Sequence, residues 1–140
     1  MSETLHATCV AIAGRGVLIA GRSGAGKSDL ALRLIDRGAA LVSDDYTLVA
    51  AAGGRLLASA PATISGRLEI RGVGIVALAA ARDVPVCLLA DLDSAPERMP
   101  EPTTTVIAGL DLPAVALSAL EASAPIKLEQ ALLRYGLPLP

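Results

Sequence analysis

The sequence is almost without aromatic residues: it has no tryptophan, no phenylalanine and two tyrosines, Tyr46 and Tyr135. A core has therefore to be filled by Ala, Leu, Val and Ile. An excess of charge of one sign is missing too. The formal net charge of -2 offers no broad basic field, which argues against nucleic acid or an anionic membrane surface as the main partner. Cysteine is sparse. Cys9 and Cys87 both sit in apolar runs, lack a partner at metal-ligand spacing, and read as buried thiols in a reducing compartment. The longest apolar runs, near Val73–Ala81 and Val84–Ala90, are separated by Arg82-Asp83 and are too short to span a bilayer. The first residues carry Glu3 and His6 where a secretory signal has a basic stretch and an apolar run. Repeats and low-complexity tracts are absent, apart from a bias toward alanine. Together these absences point to a soluble cytoplasmic protein.

What is present is a chain of 140 residues, 53% of them apolar. It reads as one domain over residues 1–140, long enough to bury about two thirds of its unfolded surface. Its sharpest feature is Gly21-Arg22-Ser23-Gly24-Ala25-Gly26-Lys27-Ser28, which fits the phosphate-binding loop G-x-x-x-x-G-K-[ST]. Val17–Ala20 supplies the strand before it and Ser28–Arg37 the helix after it. The glycines let several N–H groups point at one anion, and the helix adds the positive end of its dipole. Lys27 suits the β and γ phosphates of a nucleotide, and the Ser28 hydroxyl suits magnesium. A glycine-rich turn without function would explain the glycines but not Lys27-Ser28.

In the helix, Leu30, Ala31, Leu34 and Ile35 share one face, and Gly38 follows as a C-terminal cap. Ala39–Ser43 reads as a buried strand ending in Asp44-Asp45. That places two carboxylates at the sheet edge where ligands bind in open α/β folds. One can hold magnesium and the other can accept a proton. His6–Ile12 reads as an edge strand turning at Gly14-Arg15-Gly16, which brings His6, the single histidine, near the loop. A lone histidine near a terminus is otherwise a surface residue.

Thr47–Ala51 and Arg55–Ala58 flank Gly53-Gly54 as a hairpin, and Pro61–Gly66 is a loop. Leu68–Val76, if extended, puts Glu69 and Arg71 on one side of a strand, with Gly72 and Gly74 allowing a bulge or close approach to a ligand. Glu69 can then complete a metal site and Arg71 neutralise phosphate charge; a solvent-facing ion pair explains them equally well. Val84–Leu92 is a further buried strand. Asp91 and Asp93 at its end read as a solvated face. A proline-rich loop over Ser94–Pro102, short strands at Thr103–Ala108 and Ala114–Leu117, a loop at Leu120–Pro125 and a helix over Ile126–Tyr135 complete the chain. The fold class is α/β, a phosphate-loop-containing sheet with flanking helices.

In order and spacing these segments resemble HPr kinase/phosphorylase, specifically its C-terminal catalytic domain. The resemblance rests on the loop with Asp29–Leu32 and Ile35–Gly38, on Leu41-Val42-Ser43-Asp44-Asp45, on Leu68–Ile75, and on His6 fifteen residues before Gly21. It runs from His6 to Val76. It implies a fold related to the nucleotide domain of phosphoenolpyruvate carboxykinase. It also implies ATP-dependent phosphorylation of a serine on HPr, a small phosphocarrier protein, and the reverse task with inorganic phosphate, releasing pyrophosphate. By resemblance Lys27 contacts the phosphates, Ser28 and Glu69 bind magnesium, Asp45 or its neighbour Asp44 is the base, and His6 and Arg71 line the site. A homo-oligomer, a hexamer in the longer members, is implied as well.

Three features depart from the family. The N-terminal domain of the longer members has no counterpart here, Asp29 stands where Glu is usual, and the Pro-Gly-Arg-Asn loop is replaced by Val115–Glu121, with no arginine between Arg98 and Arg134. The reverse reaction then depends on Arg98, Lys127 or a neighbouring subunit supplying that charge. Two other readings stand beside the serine kinase: a small-molecule kinase on the same fold, and a nucleotide-sensing regulatory module without transfer activity.

Overall fold

In the computed structural model, which describes residues 1–140, eleven strands and two α-helices follow in order, with one 3-10 turn at Ala62–Ile64 between the sixth and seventh strands. They are β1 (Ser2–Leu5), β2 (Ala7–Ile12), β3 (Arg15–Ala20), α1 (Lys27–Asp36), β4 (Ala40–Ser43), β5 (Thr47–Ala52), β6 (Arg55–Ser59), β7 (Arg67–Ile70), β8 (Gly74–Ala77), β9 (Val84–Asp91), β10 (Thr103–Ile107), β11 (Leu110–Ala116) and α2 (Ala124–Tyr135). No helix is long and apolar enough to cross a membrane.

Strand β9 is the hub. It runs parallel to β3 on one side. On the other side its start pairs antiparallel with β6 and its end pairs parallel with β11. The path β1-β5-β6-β9-β3-β2-β4 and the branch β11-β10 therefore diverge from one strand. In the β3–β9 register Gly16 faces Val86 but Val17 faces Leu88, so Cys87 is the extra residue of a bulge.

Period-two alternation sorts the side chains onto two faces. Val10, Val17 and Ile19 point to one side and meet Leu30, Ala31 and Leu34 of α1 and Leu128 and Leu132 of α2. Cys9, Ala11 and Leu18 point to the other side and meet Val49, Leu56, Val84 and Leu112 from the strands that curl over it. Both clusters are aliphatic, as a chain without Phe or Trp requires. Helix α1 buries the face given by Leu30, Ala31 and Leu34, and Gly38 follows its end in the left-handed region, φ 110°. Helix α2 begins two residues before the sequence expectation, at Ala124. Pro125 takes a first-turn position there, where a missing N–H costs nothing.

Two expectations change. Strand β2 is not at an edge: it lies between β3 and β4. The edge on the far side is taken by β1, which pairs with β5 and was read as lead-in. The segment Leu68–Val76 is not one strand but the hairpin β7–β8, a separate two-stranded sheet. Its turn closes by the Val73 N–H donating to the Ile70 carbonyl. Gly72 and Gly74 sit at φ 84° and 118°, which a strand running through could not accommodate.

Burial pushes the Cys9 thiol from 9.0 up to about 12. It therefore stays protonated in the folded chain, and a thiol reagent at about pH 8 is expected to label it only after denaturation. The unfolded chain loses this proton near 9.0, the folded chain not until about 12. The contribution of Cys9 to stability is thus complete below pH 9.0 and is lost as pH rises toward 12. Melting curves across that range should show a smaller alkaline fall for Cys9→Ala than for the parent chain; equal falls would contradict it.

Candidate active site

Strand β2 is antiparallel to both β3 and β4, so β3 and β4 run the same way and end at the same edge of the sheet. The parallel β9 ends there as well. Four segments meet at this edge as a result: the loop after β3, Asp44-Asp45 after β4, Asp91–Asp93 at the end of β9, and His6 just before β2 begins.

The loop Gly21–Ser28 is a tight link from β3 to α1. The Ala25 N–H donates to the Arg22 carbonyl, and the Leu30 N–H donates to the Gly26 carbonyl to start the helix. Gly24 and Gly26 take φ 85° and 99°, a conformation that side chains other than glycine rarely adopt. The loop's entry is pinned by Asp93, whose carboxylate accepts the Arg22 N–H at 3.1 and 3.2 Å. Asp91 in turn accepts the Asp93 N–H and the Ser94 hydroxyl. These two aspartates are not simply a solvated face.

Lys27 is 6% exposed. Its ammonium donates to the Gly21 and Arg22 carbonyls at 2.8 and 3.1 Å and has no carboxylate partner. Asp44 is equally buried, 8% exposed. It accepts the Ser28 hydroxyl at 2.5 Å and the Thr8 hydroxyl at 3.2 Å on one oxygen, and the Glu69 N–H at 3.1 Å on the other. Asp45, one residue on, has a carboxylate that is 55% exposed and accepts the His6 Nε2–H at 2.9 Å. His6 stacks on Tyr46, ring centroids 5.1 Å apart. A contact this exposed adds little stability; what it does is orient the carboxylate.

These groups line one cleft of about 810 Å³ that contains Lys27, Ser28, Asp44, Asp45, Glu69 and Arg71. Glu69 lies on β7 and Arg71 in the hairpin turn, so both reach the cleft although the strand expected to carry them is a hairpin. Of the loop, Ser23, Gly24, Gly26, Lys27 and Ser28 line it; Gly21, Arg22 and Ala25 shape the backbone beneath. His6 reaches it through Asp45.

The segment after β11 stands beside the loop without a cation. Arg33 of α1 donates to the Ala119 and Glu121 carbonyls, and Leu120 projects into the cleft. Lys127 pairs with Glu121 outside it, and Arg98 lies in the proline-rich segment. Sequence reasoning missed Thr8 and Asp93. The available signals were slight: a hydroxyl in an otherwise apolar strand, and a carboxylate two residues past a strand that ends beside the loop.

The known proteins that resemble the chain agree in one direction. A family model described as HPr Serine kinase C-terminal domain matches residues 1–82. The HPr kinase/phosphorylase of Clostridium tetani is 49% identical over 72 residues, 51% of this chain and 24% of that protein. That of Brevibacillus brevis is 51% identical over 76 residues, 54% of this chain and 24% of that protein. The chain thus spans about a quarter of the length of the curated relatives it matches. The solved HPr(Ser) kinase/phosphatase of Coxiella burnetii superposes with a TM-score of 0.82 over 94% of this chain and 95% of that one, at 29% identity. Because the family match covers more than half of the chain and takes in His6, the loop, both aspartates and the hairpin, the chain belongs to the HPr serine kinase C-terminal domain family.

Proposed function

We propose that the chain transfers the terminal phosphoryl group of ATP to a serine hydroxyl of an HPr-type phosphocarrier protein of a phosphotransferase system. One observation carries this reading: Lys27 and Ser28 at the start of α1 face, across one cleft, a half-exposed carboxylate that His6 holds at 2.9 Å. Lys27 is a buried cation with only carbonyl oxygens for partners, and a phosphate is the counter-ion it lacks. The N–H groups of the loop and the N-terminus of α1 favour the same charge.

The donors at the foot of the cleft fit magnesium. The Ser28 hydroxyl and the Asp44 carboxylate are in contact and Glu69 lines the same cleft, and all three offer hard oxygens. Bound there, magnesium would neutralise phosphate charge. The chain's own residues do the rest. Arg71 adds positive charge from the hairpin. The serine oxygen bonds to phosphorus as the bond to the bridging oxygen breaks and ADP leaves, and the serine proton passes to Asp45. Asp45 takes this part because Asp44 is buried and already occupied by three donors. His6 keeps Asp45 directed into the cleft.

The reading sets this activity in the bacterial cytoplasm, where such phosphocarriers work and where Cys9 and Cys87 stay reduced. It carries over from the family resemblance a homo-oligomeric assembly. Nucleic acid and membrane have no part in it.

The test is transfer from labelled ATP, with magnesium, to the HPr-type protein of the same host. Asp45→Asn should lower kcat by about 10²–10⁴-fold, the usual range for a lost general base, while ATP binding stays close to the parent value. Lys27→Ala should lose ATP binding. Near-normal transfer by Asp45→Asn would remove the base from Asp45. ATP binding by the parent chain with no transfer to serine would favour a nucleotide-sensing module instead.

A second expectation concerns reversal. Residues 117–123 bring Leu120, not a cation, to the cleft. With inorganic phosphate added to the phosphorylated carrier, release of pyrophosphate should be far slower than forward transfer. Comparable rates would show that another group supplies the charge.

A further inference from the structure

Thr8 lies on β2, opposite Ile19 of β3, and is fully buried. Alternation puts it on the same face as Val10, the face that meets α1. A threonine there has to satisfy its hydroxyl. It does so by linking the two aspartates: the Thr8 Oγ1–H donates to Asp44 Oδ1 at 3.2 Å, and Oγ1 accepts the Asp45 N–H at 3.0 Å.

The second bond bears on backbone strain. Asp45 has φ 65°, and the Tyr46 N–H donates to the Asp44 carbonyl at 2.7 Å. A bond from i+2 to i across a residue of positive φ is a γ-turn, a rare and strained form. Such strain persists only where the surroundings over-determine it. Here they do. The Ser43 hydroxyl donates to the Tyr46 carbonyl, the Thr47 hydroxyl donates to the Ala7 carbonyl, and the Asp45 N–H, which has no backbone acceptor, goes to Thr8. The direction in which the Asp45 carboxylate leaves the backbone is set by this turn.

We propose that Thr8 is a positioning residue for Asp45: its hydroxyl, as acceptor for the Asp45 N–H and donor to Asp44, holds the strained turn that aims the Asp45 carboxylate at the incoming hydroxyl. The proposal rests on the reading of Asp45 as the base. A hydroxyl is required because it both donates and accepts; valine, of nearly the same shape, does neither, and serine does both. The residue touches no substrate, so its effect belongs in kcat and not in nucleotide binding.

The experiment compares the parent chain with Thr8→Val, Thr8→Ser and Thr8→Cys, using labelled ATP and the host's HPr-type protein. Thr8→Val is expected to lower kcat by about 10–100-fold, the scale of a misplaced reacting group, with KM for ATP within about threefold because Lys27 and the loop are untouched. Thr8→Ser should restore kcat. If Thr8→Val does not fold, the Ser and Cys variants decide: the weaker sulfur partner should give the lower kcat at equal ATP affinity, and equal kcat overturns the proposal. Parent-like kcat in a folded Thr8→Val, or no rescue by serine, also overturns it. Amide exchange gives a readout independent of activity. The Asp45 N–H should be protected in the parent and in Thr8→Ser and should exchange faster in Thr8→Val, or in Thr8→Cys where the valine variant is unfolded. Unchanged protection sinks the proposal, whereas a parent chain that transfers nothing to the carrier sinks only the reading of the activity.

Discussion

The carboxylate of Asp44 is the constraint on which the site's geometry depends. A buried carboxylate is costly unless donors replace the water it loses. Asp44 takes its donors from three elements: Ser28 at the start of α1, Thr8 on β2 and the Glu69 backbone on β7. Satisfying one charge therefore fixes how the helix, the sheet edge and the hairpin meet. The hairpin depends on it most. As a separate two-stranded sheet it is otherwise anchored by buried Leu68 and, just past β8, by the Ala81 N–H, which donates to the Leu41 carbonyl of β4.

Adjacent residues of the same type end up in opposite environments because the backbone reverses between them. Asp44 continues the strand direction and is buried. Asp45, at φ 65°, turns outward beside His6. Asp44 is held by three donors, whereas Asp45, carried outward by the turn, keeps about half of its side chain exposed and meets only His6. That division follows from geometry and from the count of donors.

Much of this was legible in the chain, and the reasons are local. The loop carries its own signature, since glycines at fixed offsets and Lys27-Ser28 serve one backbone shape. Helix α1 is marked by Leu30, Ala31 and Leu34, and the hairpin β5–β6 by Gly53-Gly54. What was not legible depends on contacts distant in sequence. Strand β1 is short and polar, and it becomes a strand only because β5 offers an edge. Strand β2 looked like an edge because nothing in its residues shows that β4 returns to its other side. Glu69 and Arg71 line one cleft, but from a hairpin and not from one face of a single strand: Gly72 and Gly74 each allow a bulge or a reversal, and only the partner strand decides between them. Thr8 and Asp93 are single polar residues whose partners lie 36 and 71 positions away, beyond the reach of any periodicity.

The distribution of positive charge follows from the same constraint. Arg33 is spent on the carbonyls of residues 119 and 121, so the cations lining the cleft are Lys27 and Arg71. Lys27 is fixed to the loop, but Arg71 sits on the hairpin, and the hairpin is latched by the Glu69 N–H to one oxygen of Asp44. The other oxygen faces Ser28 and Thr8. A group that draws on the oxygen beside Ser28 therefore need not release the latch, whereas loss of charge on Asp44 weakens both contacts at once. The hairpin that carries Arg71 and the hydroxyl of Ser28 are thus tied to the two oxygens of one carboxylate.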